Sequence, residues 1–460
     1  MSKIIYATPP VVSPKGYATV GNQRQFQYFK DPTFTYPIVP ATCITMLSNA
    51  GNEVLWIDAI AEELNELEFG QLIVNNQPDY IIFEAPTPLI KRYWEIIDGI
   101  KNNVPNIQII LCGDHVTALP EESKANCKAD FVVQGGKWHK DVYTIITQKE
   151  WEGAAPKINR DLTRWWLYAY RNGNFKYLPG TYIMSAMDCW HRPGCTFCSW
   201  ANSHPTCETR TVKDVVDEVE FLARIGFKEI FDDSGTFPTG DWLKEFCREV
   251  IERGITEHVS FGCNMRFGAL DEEDFVLLAK AGFRMILWGL ESVNQDTLNR
   301  LNKKVDIKDI SRDLAFAKAA GLKSHLTVMF GYWWENEGQA RNTYDMVQYW
   351  LRKGYAYSAQ ATICIPYPGT PLWQECKEKN LLRSENWEDY DMSQPIMKSS
   401  ISDKQIKAFQ KGIYNTMLHP EFVWRKIMGI RDFNDLKYFF RAGKKIYDRF
   451  GNMAERGKVS

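Results

Sequence analysis

No apolar run in this sequence approaches the roughly 18 to 20 residues that a membrane-spanning helix needs. The opening KIIYATPP is typical of a buried strand that runs into a turn, not of a signal peptide, so we expect a cytoplasmic protein. An excess of positive charge is also lacking, because 55 Lys and Arg residues face 57 Asp and Glu residues for a net charge of -2. This balance argues against nucleic acid as a partner.

The charge is nevertheless unevenly distributed along the chain. Residues 401–460 contain 13 Lys and Arg but only 6 Asp and Glu, a net charge of +7, which leaves about -9 for the first 400 residues. A solvated helical surface is the plain interpretation of such a segment. The alternatives are a site for an anionic substrate and contact with a membrane surface.

The spacing of a disulfide framework is absent as well. Eight of the eleven cysteines are scattered through apolar segments, which fits a reducing compartment. The other three, Cys189, Cys195 and Cys198, fall in the stretch MDCWHRPGCTFCSW. A zinc site would need Cys207 as a fourth ligand, and zinc sites typically use two Cys-x-x-Cys hairpins where this chain has one pair. We therefore favour an iron–sulfur cluster held by three thiolates, with one iron open to an external ligand.

The first 150 residues alternate short apolar runs with amphipathic stretches. Five of the runs predict strands: KIIYATPP, NEVLWIDA, PDYIIFEAP, NIQIILCGD and ADFVVQGG. The alternation predicts an α/β domain over residues 1–150 with a doubly wound, Rossmann-like parallel sheet. Ligands of such sheets bind at the carboxyl ends of the strands, which here are rich in Pro, Gly and small polar residues.

A second alternating region follows a linker predicted over residues 151–180. Residues 181–380 contain six strand–helix units, whose strands are GTYIMSAMD, FKEIFDD, HVSFGCNM, RMILWGLES, KSHLTVMFG and SAQATICIP. Six units predict an open, partial (β/α)6 barrel of the TIM type, with the cysteines at the mouth where barrel active sites lie. The helix after the cysteines is predicted to begin with a capping box of Thr211 and Asp214. Residues 381–460 predict a helical domain.

Four segments, CTFCSW, RTVKDVVDEV, GLES and PYPGTPL, resemble the radical S-adenosylmethionine (SAM) enzymes, and specifically their cobalamin-dependent branch. The resemblance extends over nearly the whole chain. It departs from the family at one place, because the usual spacing is Cys-x3-Cys-x2-Cys, whereas the five residues Trp190 to Gly194 separate the first two cysteines here. A bulge at Pro193 and Gly194 would accommodate them.

The resemblance implies that the three cysteines ligate a [4Fe–4S] cluster whose open iron binds the amino and carboxylate groups of SAM. It also implies SAM contacts: Phe197 beside the adenine, Asp232 and Asp233 at the methionine amine, Arg266 at the methionine carboxylate, and Glu291 and Ser292 at the ribose. A structural role is the alternative for each polar residue in this set. Trp333, Trp334 and Tyr367 are candidates for the substrate pocket, although lid packing explains the two tryptophans equally well.

The N-terminal domain resembles the cobalamin-binding module of the family through CGDHVTALPEE and DFVVQGG, which differ from the usual pattern at Asp114 and Gly136. The resemblance implies cobalamin contacts at the strand ends: Pro10, Asp58, Thr87, Gly113, His115, Thr117, Gly135 and Gly136. The Asp-x-His-x-x-Gly sequence that supplies a histidine to cobalt is absent. We therefore expect a corrin to bind without a protein imidazole, and interpret His115 as a hydrogen-bonding group.

The reaction that the resemblance implies is methylation of an unactivated carbon in a small-molecule or lipid-like metabolite, through a 5'-deoxyadenosyl radical and methylcobalamin. An electron donor such as flavodoxin or ferredoxin would supply the electron that reduces the cluster. Oxidative ring closure, as in the anaerobic porphyrin ester cyclases, is the alternative within the same chemistry. A non-enzymatic corrinoid-binding protein is the alternative of another class, and an open iron argues against it because a binder needs none.

Overall fold

The computed structural model describes residues 1–11, 13–19, 26–30, 32–187, 189–203 and 206–456, without the side chains of residues 201, 202 and 445–456. Its first elements are β1 (Lys3–Thr8), β2 (Tyr17–Ala18), β3 (Tyr28–Phe29), α1 (Ile38–Asn49), β4 (Glu53–Asp58), α2 (Glu66–Asn76), β5 (Tyr80–Glu84), α3 (Ile90–Asn103), β6 (Gln108–Cys112), α4 (Asp114–Ala118), α5 (Pro120–Asn126), β7 (Phe131–Val132) and α6 (Trp138–Thr147). A short 3-10 helix over Thr87–Leu89 follows β5.

Five of these strands form one parallel sheet in the order β4-β1-β5-β6-β7. Numbered along the sheet, this is the 2-1-3-4-5 order of a doubly wound fold, so the Rossmann-like prediction and its five strands are confirmed. Central strands of such a sheet are apolar on both faces because helices cover both sides. In β5, for example, Ile81, Ile82 and Phe83 are completely buried.

The segment between the two sheets contains one short helix, α7 (Trp166–Ala169), and packs through aromatic and charged side chains. The Tyr168 hydroxyl donates to Asp58 at the end of β4 (2.7 Å). Arg160 is buried and pairs with Glu218 (3.3 Å), which belongs to the helix that follows the cysteines. The segment therefore connects the first sheet to the second through a hydrogen bond and an ion pair.

The second sheet is a six-stranded, open parallel barrel. Its region contains β8 (Gly180–Ile183), β9 (Ala186–Met187), α8 (Ser199–Ser203), β10 (Glu208–Thr209), α9 (Val212–Arg224), β11 (Glu229–Asp232), α10 (Asp241–Glu252), β12 (Ser260–Met265), α11 (Glu272–Lys280), β13 (Phe283–Glu291), α12 (Gln295–Arg300), α13 (Ile307–Ala319), β14 (Lys323–Phe330), α14 (Glu337–Lys353) and β15 (Ser358–Ile363). The strand order is β15-β14-β13-β12-β11-β8. Within the described residues β8 and β15 are the two edges, so the partial (β/α)6 barrel is confirmed.

The helix after the cysteines, α9, forms for the reasons that the sequence indicates. The Thr211 hydroxyl accepts from the backbone N–H of Asp214 (3.2 Å), and Val215, Val216 and Val219 are completely buried against the sheet. The Asp214 carboxylate does not return the bond, so only half of the predicted capping box is present.

The C-terminal part is helical as predicted, with α15 (Pro371–Glu378), α16 (Asp403–Thr416), α17 (Pro420–Met428) and α18 (Phe433–Arg456). Residues 457–460 of the predicted domain lie outside the described residues. Along the β15 edge, Tyr414 of α16 donates its hydroxyl to the carbonyl of Ala361 (3.0 Å) and accepts from its N–H (3.1 Å). This helix thus covers one open edge of the barrel. In the described part of the chain, no helix has both the length and the apolar character needed to cross a bilayer.

Candidate active site

A cavity of about 1080 Å³ lies inside the barrel. Its wall takes alternate residues of β13 and β14, because successive side chains of a strand point to opposite faces. These residues are Met285, Leu287, Gly289, Glu291, His325, Thr327 and Met329. Other parts of the wall come from the remaining strands of the barrel, from the cysteine loop, from the C-terminal helices and from residues between 19 and 35 of the N-terminal part. The cavity is therefore shared by all three regions of the chain.

All three clustered cysteines line this cavity, and all are half-buried. The loop that carries them leaves β9, which pairs in antiparallel fashion with β10 beyond the loop. The Cys189 thiol donates to the Thr236 hydroxyl after β11 (3.3 Å). Cys207, by contrast, is not on the cavity wall. Among the residues that the structure describes, no three His, Cys, Asp or Glu side chains lie close enough together to hold a single metal ion.

The five residues that separate the first two cysteines are anchored to the segment after α12. The Asn302 side chain donates to the carbonyls of Pro193 (2.7 Å) and Gly194 (2.9 Å). The carbonyl of Asn302 lies 2.6 Å from His191 Nε2, which must donate because a carbonyl only accepts. The unusual spacing is thus held by hydrogen bonds, and nothing in the sequence singles out Asn302 for this role.

The loop after β11 supports the cysteine loop. The Asp232 carboxylate accepts from the backbone N–H groups of Ser185 (2.9 Å) and Ser234 (3.0 Å). A Cβ atom added at Gly235 would lie 2.6 Å from the Cβ of Cys189, so a glycine lets the two loops approach. Asp232 is buried in these bonds and does not line the cavity, contrary to its predicted place at the methionine amine.

An irregularity at the end of β13 brings Glu291 to the cavity. The pairing with β14 shifts register between Gly289 and Glu291, and Glu291 has a left-handed φ of 62°, uncommon for residues other than glycine. Its carboxylate forms an ion pair with Lys303 (3.1 Å), and both side chains are 8% exposed. Burial raises the pKa of Glu291, whereas the positive charge of Lys303 and its hydrogen bond lower this pKa. Lys303 also lines the cavity, and no sequence motif marks it.

Two cations lie near Cys195. Arg266 lines the cavity, donates to backbone carbonyls of the segment after α12, and lies 5.4 Å from the ring centre of Trp190. Burial raises the pKa of the Cys195 thiol, whereas the charges of Lys303 and Arg266 lower it. Asp233 is on the same wall. This end of the cavity therefore combines thiols with charged groups of both signs.

Of the other predicted site residues in the barrel, Phe197 and Tyr367 line the cavity, and Tyr367 donates to the carbonyl of Tyr390 (2.9 Å). Ser292 does not. Its hydroxyl is buried and donates to the carboxylate of Glu335 (3.0 Å). Ser292 therefore belongs to a hydrogen-bond network with Glu335 and Thr343, away from the cavity wall.

The two tryptophans after β14 also lie away from the cavity wall, contrary to the expectation of a substrate pocket. Trp334 stacks on Tyr332 with ring centres 5.1 Å apart and donates to the Thr297 hydroxyl (3.2 Å). Trp333 packs beside Arg300, whose guanidinium lies 5.4 Å from the indole centre. Their position matches the alternative of packing.

None of the eight predicted cobalamin contacts lines this cavity. Pro10 and Thr87 are buried at the ends of β1 and β5. The Asp58 carboxylate is 1% exposed and accepts from the N–H of Ala61 (3.0 Å) as well as from Tyr168. Asp58 therefore holds the linker in place.

The loops after β6 and β7 are tied together by one side chain. The Thr117 hydroxyl donates to the carbonyl of Gly113 (2.8 Å) and accepts from the N–H of Gly135 (2.9 Å). Both glycines have a positive φ, of 117° and 88°, which favours glycine. A Cβ added at Gly135 would meet no atom within 4 Å, so there is open space beside this loop.

His115 is completely buried in the N-terminal domain. Its ring packs edge-on against Trp94 and Trp387, with ring centres 6.1 and 5.1 Å away. Its Nε2 atom lies 3.2 Å from the carboxylate of Glu122. The histidine is therefore a hydrogen-bonding group in this structure, as the sequence interpretation has it.

The two positions at which the N-terminal loops differ from the family pattern both contact α8, directly after the last cysteine. The Asp114 carboxylate accepts from the hydroxyls of Ser199 (2.7 Å) and Ser203 (3.2 Å). The N–H of Gly136 donates to the carbonyl of Ser203 (2.8 Å). The strand ends of the first sheet are thus joined to the loop that carries the cysteines.

The donor set suits an iron–sulfur cluster, because three thiols share one wall and thiolates are the ligands that such clusters take. A ligand that lies between the two sheets is also supported by Gln27. This residue lines the cavity from the N-terminal side and is 6% exposed, and its side-chain oxygen is buried without a hydrogen-bond partner among the residues that the structure describes. The open space beside Gly135 leaves room for a ligand at the carboxyl ends of the first sheet.

Comparisons with known proteins agree with this geometry. The radical SAM superfamily model matches residues 186–347. An uncharacterized methyltransferase of Pyrococcus horikoshii is 24% identical over 413 residues, which cover 82% of this chain and 86% of the relative. The anaerobic magnesium-protoporphyrin IX monomethyl ester cyclase of Rubrivivax gelatinosus is 26% identical over 388 residues, which cover 76% of this chain and 68% of the relative.

A solved structure resembles nearly the whole chain. The radical SAM methyltransferase TsrM from Kitasatospora setae, with cobalamin and a [4Fe–4S] cluster bound, has a TM-score of 0.66 at 14% identity. The match covers 98% of this chain and 100% of that chain. At this identity the likeness concerns the fold.

Proposed function

We propose that this chain, a radical SAM superfamily enzyme with the fold of the cobalamin-dependent members, transfers a methyl group to an unactivated carbon of a small-molecule or lipid-like metabolite. The observation that carries the proposal is the cavity wall that Cys189, Cys195, Cys198 and Glu291 share. Apolar side chains line much of the same cavity, and they would keep water from a bound substrate.

Three groups would be held by this chain. The three cysteines would bind a [4Fe–4S] cluster, and Glu291, Arg266 and Asp233 would bind SAM beside it. Gly113 and Gly135 would contact cobalamin at the carboxyl ends of the first sheet. When bound, the reduced cluster cleaves SAM to start radical chemistry, and cobalamin carries the methyl group.

The residues around SAM would have separate tasks. The Glu291 carboxylate would accept hydrogen bonds from the ribose hydroxyls through the oxygen that Lys303 leaves open, since the ion pair engages Oε1. Lys303 would keep this carboxylate ionised and oriented despite its burial. Arg266 would pair with the methionine carboxylate, because its guanidinium lies on the wall near Cys195.

Oxidative ring closure is a second candidate within the same chemistry. The likeness to the magnesium-protoporphyrin IX monomethyl ester cyclase over 76% of this chain favours it. The likeness to a methyltransferase covers 82%, so we place methylation first. A non-enzymatic corrinoid-binding protein is the poorest candidate, because a binder has no use for three thiols on a substrate-sized cavity.

By-products distinguish the two reactions. Anaerobically reconstituted protein would be supplied with cobalamin, SAM, a reductant and metabolites that differ between cells with and without the gene. Methylation should give one 5'-deoxyadenosine and one S-adenosylhomocysteine for each methyl group transferred. Ring closure should give 5'-deoxyadenosine alone. A protein with a full cluster that forms neither by-product would contradict both.

Two partners follow from the same proposal. The cluster needs an electron from outside the chain, so we propose a donor such as flavodoxin or ferredoxin. We also propose contact with a membrane surface through α17 and α18. Trp424, Met428, Phe433 and Phe440 of these helices are 64% to 67% exposed, and they lie in the segment with the excess of positive charge.

A further inference from the structure

Three lysines of α16 form a stripe on the cavity wall that the proposed chemistry does not use. Lys404, Lys407 and Lys411 all line the cavity. Their spacing of three and four residues places them on one face of the helix. At 1.5 Å per residue, about 10 Å of helix axis separates the first from the last. We call these residues the lysine stripe.

Four acidic groups on the same wall already have cationic partners. The pairs are Glu229 with Arg284, Glu291 with Lys303, Asp391 with Lys15 and Asp403 with Arg383. The lysine stripe, by contrast, makes no ion pair, hydrogen bond or ring contact with any residue that the structure describes. Its three positive charges are therefore not compensated within the described chain.

The helix that carries the stripe is fixed in place. Besides the two bonds of Tyr414 to Ala361, Gln410 donates to the same carbonyl (3.3 Å). Ile406 and Ile413, on the opposite face, are completely buried. The lysines thus stand on a rigid support, and only their flexible side chains need to adapt to a ligand.

The cavity next to the stripe is largely apolar. Tyr414 and Met417 of α16 line it together with Met392, Ile365 and Phe29. An apolar chamber with a cationic edge matches a molecule that is apolar over most of its length and anionic at one end. The three lysines are exposed as well as on the wall, so they stand where the cavity meets solvent.

We propose that the lysine stripe binds the anionic head group, a carboxylate or a phosphate, of an amphiphilic substrate whose apolar body lies in the cavity. The inference rests on the proposed function for the direction in which the substrate points, since the reacting carbon must lie toward the cysteines. It does not depend on that function for the binding itself.

A matched set of ligands tests the head group. Dodecanoate, dodecyl phosphate and neutral dodecanamide share one apolar chain, and calorimetry below the micelle concentration gives their affinities for the full-length, reconstituted protein. We expect both anions to bind about ten-fold more tightly than the amide, the size that three partly exposed ion pairs give together. A preference for one anion identifies the head-group chemistry.

Variants locate the effect. Replacing the stripe by glutamine (K404Q, K407Q, K411Q) should abolish the preference for anions, whereas the triple arginine variant should keep it. The matched control is the triple glutamine variant at Lys228, Lys280 and Lys308, which are exposed and lie off the cavity wall. It removes the same net charge and should behave like the wild type.

The inference is overturned if the wild type binds the amide as tightly as the anions, if it binds none of the three, or if the control variant loses the preference as fully as the stripe variant. Iron content and 5'-deoxyadenosine formation are measured on the same samples. A protein that prefers anions but holds no cluster would count against the proposed function and not against the lysine stripe.

Discussion

Replacing Glu291 by alanine should have two separable effects, and the first is on stability. The carboxylate lies 3.1 Å from the Lys303 ammonium, and each side chain is 8% exposed. Removing one partner of a buried ion pair leaves the other charge without compensation, at a cost of about 3 to 5 kcal/mol. We therefore expect the free energy of unfolding of Glu291→Ala to fall by about this amount.

The second effect is on the affinity for SAM. Loss of a charge-assisted hydrogen bond to the ribose is worth about 1.5 to 3 kcal/mol, or roughly 10- to 150-fold in affinity. A destabilised protein also binds less tightly when part of it is unfolded. The single variant alone cannot separate these two causes.

The double variant Glu291→Ala with Lys303→Met separates them. It removes both charges and replaces the lysine with an apolar side chain of similar length, so stability should return to within about 1 kcal/mol of the wild type. The affinity for SAM should stay low, because the ribose contact is still missing. Lys303→Met alone should be unstable, since it leaves a buried carboxylate.

Anaerobic equilibrium dialysis with labelled SAM measures the affinity, and urea unfolding followed by circular dichroism measures the stability. Iron content is the control, because a lost cluster would itself abolish SAM binding. A double variant that retains its cluster and binds SAM as tightly as the wild type would refute the role of Glu291 at the ribose. An undiminished stability of Glu291→Ala would refute the buried ion pair.

Other parts of the chain give further predictions. Reconstituted wild type should contain about four irons per chain. The Cys195→Ala variant should lose the cluster, whereas Cys207→Ala should keep it. Zinc in the protein as isolated would contradict the iron–sulfur assignment. The cobalt(II) paramagnetic resonance spectrum should lack nitrogen splitting, and splitting that disappears in His115→Ala would show that a protein imidazole binds cobalt. Burial raises the pKa of Asp58 to about 6, so the folded form prefers the protonated acid and wild-type stability should fall as the pH rises from about 4 to 6. The gain in stability from Asp58→Asn, measured by urea unfolding, should therefore be larger at pH 7 than at pH 4.5, and an equal gain would contradict the pKa. Sedimentation with anionic vesicles should decrease in Trp424→Ser, and unchanged sedimentation would argue against membrane contact through α17.

The sequence predicts the parts of this fold that depend on local pattern. Apolar runs such as Ile81 to Phe83 are buried strands because a doubly wound sheet hides both faces of its strands. The cysteine cluster can also be predicted from the sequence, because all three cysteines lie within ten residues. The role of Lys303 could not be predicted from the sequence. Its contact with Glu291 depends on a register shift at the end of β13, and no short motif encodes this shift.

Two pairs of neighbours show what the sequence alone does not distinguish. Asp232 and Asp233 are both expected at the SAM site, as are Glu291 and Ser292. In each pair one residue lines the cavity and the other is buried in a network of hydrogen bonds. Adjacent residues of a strand point to opposite sides, so a motif that contains two polar neighbours brings only one of them to the cavity wall.

The departures from the family pattern in the N-terminal loops are better understood as one feature than as two mismatches. Asp114 and Gly136 are 22 positions apart, yet both contact Ser203 of α8, and Asp114 also holds Ser199. A carboxylate at the first position gives two hydroxyls an acceptor, and the backbone N–H at the second position donates to a helix carbonyl. Because α8 begins directly after Cys198, the loops expected to contact cobalamin also fix the position of the cysteine that we expect to be the last cluster ligand. The two halves of the proposed site are therefore joined by direct hydrogen bonds.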